Sequence, residues 1–122
     1  MADYIYFKSR DELLRFNTSA IVYFEAMGNF TKIILANGFE GHVCINLAKM
    51  QERLTHRLEE KAKLFVRVGK SHIINVTYLL QVIPLRHKLV LSDQKSFLYE
   101  LSISKEALRS FMDIIIESKS SK

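Results

Sequence analysis

With 122 residues, 48% of them apolar, the chain is long enough to bury one core without a disulfide or a structural metal. One proline, four glycines and one cysteine exclude a low-complexity linker and a disulfide scaffold, and no run reaches the ~20 apolar residues of a membrane span. The net charge of +5 and the pI near 9.4 favour phosphate-rich partners through counterion release, as expected of a soluble cytoplasmic protein that meets polyanions.

The chain starts with short strands. "YIYF" (4–7) is aromatic and β-branched, and the charges from Lys8 onward leave no apolar core of signal-peptide length. "ELLRF" (12–16) follows a charged turn. "IVYFEA" (21–26) is a continuous apolar run rich in β-formers, the pattern of a central strand. "MGN" breaks it, and "FTKIIL" leads into Asn37-Gly38, which predicts a type I′ hairpin because both residues tolerate positive φ. "FEGHVCI" returns with Phe39, Gly41, Val43 and Ile45 on one face, and Cys44 is expected to pack as a small apolar side chain.

The period then changes to that of a helix. Asn46 is placed to cap it, with Leu47, Met50, Leu54 and Leu58 on one face and the charge run "ERLTHRLEEKAK" on the solvated side. Beyond it come "LFVRV", a polar loop, "HIINV", and "LLQVIPL" around Pro84. "KLVL" and "SFLYEL" flank the turn "SDQK", a second hairpin. Ser104 caps a closing helix with Leu108, Phe111, Met112 and Ile115 as its apolar stripe. About nine strands and two short helices without βαβ alternation predict a mostly β, mainly antiparallel fold. The expected layout is a single domain over 1–116 and a disordered tail over 117–122.

Chemical motifs are few. Gly69-Lys70-Ser71 matches the end of a phosphate-binding loop, but Leu64 stands where the upstream glycine belongs and no helix follows. His42, His56, His72 and His87 lie far apart without the paired spacing of metal ligands, so no metal or cofactor is expected. Ser71 and His72 are neighbours that a strand points to opposite faces, and Glu25 lacks a second carboxylate at acid/base spacing. Glu25 reads as a partner for a nearby Lys or Arg. No enzymatic reaction is predicted, and no small-molecule substrate.

Three polar, partly basic loops remain. Asn29, Thr31 and Lys32 follow the central strand, Lys70, Ser71 and His72 lie in the middle loop, and Ser104 and Lys105 sit at a helix N-terminus suited to a phosphate.

These segments resemble the LytTR DNA-binding domain from about residue 4 to residue 116. "IVYFEAMGNFTKIILANG" is similar to its opening signature, "NLAKMQERL" to its short helix, "FVRVGKSHIINVTYL" to its most specific segment, and "LSISKEALRSF" to its closing motif. The resemblance implies an elongated arrangement of small antiparallel sheets whose loops enter neighbouring major grooves of duplex DNA. Carried over, the contacts fall on Thr31 and Lys32, on Lys70 and Ser71, and on Lys105 with Arg109. Arg67 and Asn75 match signature positions with structural roles, Arg67 holding a carboxylate such as Glu25 and Asn75 bonding a turn backbone. Gly69 departs from the family's frequent histidine. Lys105 replaces a common arginine, and lysine makes no planar two-pronged contact to guanine. The resemblance implies a bacterial transcriptional regulator, with two copies on repeated half-sites. No room is left for a receiver or membrane domain, so control falls to a regulatory partner, such as a membrane inhibitor, or to expression level. The alternative is an interaction module of the same fold that titrates another regulator without binding DNA.

Overall fold

The computed structural model describes residues 3–120. Among these are ten strands in three antiparallel sheets and two α-helices, one strand more than the sequence pattern suggests. Where composition suggests one domain, contacts divide the chain between Thr77 and Tyr78 into two compact units.

The first unit opens with a hairpin of β1 (Tyr4–Lys8) and β2 (Leu13–Asn17). A five-stranded sheet follows, built from β3 (Ile21–Met27), β4 (Phe30–Leu35), β5 (Glu40–Val43), β6 (Phe65–Val68) and β7 (His72–Asn75). Its order is β5-β4-β3-β7-β6, which puts β3 in the centre as its apolar run requires; Ile21 to Phe24 are all buried. The helix α1 (Leu47–Leu58) starts where expected, with the Asn46 side chain accepting the Lys49 N–H at 2.9 Å. Its buried stripe of Leu47, Met50, Leu54 and Leu58 belongs to one core with Phe24, Ile33 and Ile73 of the sheet and Ile5, Phe7 and Phe16 of the first hairpin. Each such side chain stabilises the fold by roughly 1.5–3 kcal/mol relative to exposure. The charge run lies on the exposed side of α1 and continues into a 3-10 turn over Glu59–Leu64.

Two local expectations change. The β4–β5 hairpin exists, but its loop has three residues, and of these Gly38 takes positive φ (+92°) while Asn37 does not. A type I′ turn needs both, so Asn37 serves otherwise, its Oδ1 accepting the Phe39 N–H at 2.9 Å. The two-residue turn is Gly28-Asn29, with Gly28 at φ +63° in the first central position, as type II′ demands. Cys44 is exposed rather than packed, because it follows the end of β5 with its neighbours Val43 and Ile45 turned toward the core.

The second unit is a three-stranded sheet of β8 (Leu79–Ile83), β9 (Lys88–Ser92) and β10 (Leu98–Ser102), in the order β10-β9-β8, with α2 (Lys105–Ser120). Pro84 ends β8 in a 3-10 turn that closes through His87 at φ +54°. The predicted β9–β10 hairpin is present, and the Asp93 carboxylate accepts the N–H groups of Lys95, Ser96 and Phe97. The Ser96 hydroxyl, followed by those N–H groups, holds its pKa well below the usual carboxylate range. Ser104 caps α2 as expected, accepting the Ala107 N–H at 3.2 Å. The apolar stripe is only half right: Leu108 and Phe111 are buried, but Met112 is 39% exposed and Ile115 is half-buried. The helix runs through Ser120, across residues 117–120 where a tail was expected; residues 121 and 122 lie outside the described residues.

Candidate nucleic-acid interface

Antiparallel pairing on both sides of β3 decides which loops of the first unit meet. Glu25 of β3 stands opposite Lys32 of β4 and His72 of β7, so the turn after β3 and the turn before β7 share one end of the sheet. The Ala26 N–H donates to the Ser71 carbonyl at 2.8 Å and joins them. Asn29 therefore lies at the same end of the sheet as Gly69, Lys70 and Ser71, and all four are exposed. Gly69 takes φ +68°, which reverses the chain between β6 and β7.

Arg67 braces this turn from within. Its guanidinium donates to the Lys70 carbonyl at 3.1 Å and lies 3.5 Å from Gln51 Oε1 on α1. It does not hold Glu25, as the sequence suggested. Arg67 is paired with Ile73, one position along from His72, and alternation puts the two positions on opposite faces of the sheet. Glu25 is instead held by Lys32 at 3.4 Å and faces His72 Nε2 at 3.6 Å. Asn75 performs the structural role expected of it: it is buried, its Nδ2 donates to the Ile21 carbonyl at 2.9 Å, and its Oδ1 accepts the Thr77 N–H at 3.0 Å.

Three residues expected at the DNA surface are committed inside this unit. Thr31 is fully buried, and its hydroxyl donates to the Ile45 carbonyl at 2.7 Å. It shares the apolar face with Ile33, so its strand position points it inward. His72 is also buried. That desolvation lowers its pKa against the opposing pull of Glu25, so the imidazole is neutral at neutral pH. Lys32 is only 20% exposed in its side chain and lies against Glu25. In the second unit, Ser104 and Arg109 are exposed at the start of α2, and Lys105 is half-buried.

The model of the LytTr DNA-binding domain matches residues 11–116. The chain belongs to the LytTR DNA-binding domain family. A solved LytTr DNA-binding domain from Bacillus cereus has the same fold, with a TM-score of 0.65 at 18% identity over 93% of this chain and 96% of that one. No curated protein sequence matches this chain. In this LytTR chain no helix among the described residues is long and apolar enough to cross a membrane. The mostly β, antiparallel architecture read from the sequence is that of the family. Glu25 does partner a nearby lysine, as its sequence context suggested; what the sequence missed in the LytTR sheet is that the partner is Lys32, with His72 on the other carboxylate oxygen. The only signal for it would have been strand register, which the chain order does not reveal.

Proposed function

We propose that this chain binds duplex DNA sequence-specifically as a transcriptional regulator, with loops entering major grooves at repeated half-sites. The observation that carries this reading is the exposed turn Gly69-Lys70-Ser71, braced by Arg67 and at the same end of the sheet as Asn29, in a chain of the LytTR DNA-binding family. A rigid turn with a free ammonium and a hydroxyl offers phosphate and base-edge contacts at little entropic cost. The contacts assigned to it are Asn29, Lys70 and Ser71. Ser104, Lys105 and Arg109 at the start of α2 are a second set, where the helix N-terminus favours a phosphate. One such set makes few phosphate contacts, so two copies on adjacent repeats would gain affinity through avidity.

The test is fluorescence anisotropy or gel retardation with the chain's own upstream duplex at several salt concentrations. Lys70→Ala should weaken binding and flatten the slope of log K against log salt by about 0.9, the loss of one phosphate contact. An unchanged slope removes the middle loop from the interface. No retardation at low salt, together with a co-purifying protein, favours a module that titrates another regulator.

A further inference from the structure

The Lys32–Glu25 pair matters to DNA binding through what it withholds. Lys32 and Glu25 are directly opposite on β4 and β3, the ammonium 3.4 Å from Oε1, with side-chain exposures of 20% and 31%. The other carboxylate oxygen faces the His72 imidazole at 3.6 Å, and His72 is directly opposite Glu25 on β7. The carboxylate thus has a neighbour on each flanking strand, one per oxygen. On the far side of Lys32, the register neighbour is His42, so no second carboxylate stands opposite it. Lys70, two residues before His72 at the same end of the sheet, is exposed and has no carboxylate partner among the described residues.

We propose that Glu25 is an affinity-setting residue that masks Lys32: it neutralises the lysine in a half-buried ion pair, so that Lys32 adds nothing to phosphate attraction and Lys70 supplies the cation at this end of the sheet. This inference rests on the DNA-binding reading above. Its physical basis is charge counting. Salt-dependent affinity follows the cations that displace counterions from phosphates, and a lysine already paired with a carboxylate displaces none. A phosphate could recruit Lys32 only by stripping it from Glu25, which leaves a half-buried carboxylate facing a polyanion. Masking therefore lowers binding to every duplex by about the same factor, which weakens residence on random DNA and leaves the operator-to-random ratio to the base contacts.

The experiment measures log K against log salt, on operator and on random duplex, for wild type, Glu25→Gln, Lys32→Gln and the double variant. Glu25→Gln should steepen the slope by about 0.9 on both duplexes, equal to about 3.5-fold tighter binding on going from ~200 to ~50 mM salt beyond the wild-type change. The double variant removes both charges of the pair and should keep the wild-type slope, whereas Lys32→Gln alone uncovers the Glu25 carboxylate and should weaken binding to both duplexes. A double-variant slope flatter than wild type by about 0.9 overturns the proposal, because Lys32 would then reach phosphate in the wild type. That comparison is between two proteins of equal charge at this position. A Glu25→Gln protein that is folded by thermal melting yet keeps the wild-type slope also overturns it. Wild type that binds no duplex at low salt overturns the DNA-binding reading itself, and the masking role with it.

Discussion

Thr31 separates a structural threonine from a contact residue in one substitution. Thr31→Val is nearly isosteric, so it adds no cavity and deletes only the hydroxyl that donates to Ile45 at 2.7 Å. The lost bond is worth about 1 kcal/mol net, and a stranded dry carbonyl would add about 1–3 kcal/mol. Ile45 is half-buried, so water relieves part of that penalty, and the sum is about 1–2 kcal/mol. With a urea dependence of about 2 kcal/mol/M, the unfolding midpoint should fall by about 0.7 M. Against a total stability of about 5–15 kcal/mol, more than ~99% of the protein stays folded in buffer. Anisotropy on the operator duplex should therefore show affinity within about twofold of wild type. A Thr31→Val protein with an unchanged urea midpoint and tenfold weaker DNA binding would refute the assignment, since Thr31 would then be acting at the DNA.

Other consequences can be checked in the same assays. Asn75→Asp keeps the acceptor for Thr77 N–H but turns an oxygen toward the Ile21 carbonyl, so it should cost about 2–4 kcal/mol in urea unfolding and do no better than Asn75→Ala. Gly41→Ala would bring a methyl 2.8 Å from the Phe16 ring in the core, for a loss of about 1–3 kcal/mol, and adding Phe16→Leu should recover part of it. Burial depresses the His72 pKa in the fold, so its contribution is fully present above the ordinary histidine value of about 6.5 and is lost as pH falls through the folded value. Wild-type stability should decline as pH falls below about 6.5, and His72→Gln should flatten that decline; equal slopes for the two proteins would exclude His72 as its source.

The site was partly legible before any coordinates. Turn residues mark themselves by type, so Gly28-Asn29 and Gly69-Lys70-Ser71 could be placed outside the core, and the structure exposes them. Strand residues one position apart look alike in sequence but face opposite ways. That is why Thr31 was read as a surface contact although it lies in β4 with its hydroxyl in the interior. The same ambiguity gave Glu25 to Arg67 when the register gives it to Lys32 and His72.

By itself, the sequence determined what depends on short-range chemistry. The apolar run of β3, the Asn46 and Ser104 caps, the stripe of α1 and the two glycine turns each follow from a few neighbouring residues and their backbone preferences. Tertiary structure decided the rest, because strand order and register bring together residues far apart in the chain. The order β5-β4-β3-β7-β6 puts Lys32 and His72 on either side of Glu25 and joins two distant turns at one end of the sheet. That register leaves Lys70 as an open cation and Lys32 as a paired one, a distinction that two lysines in loop-like sequence do not carry.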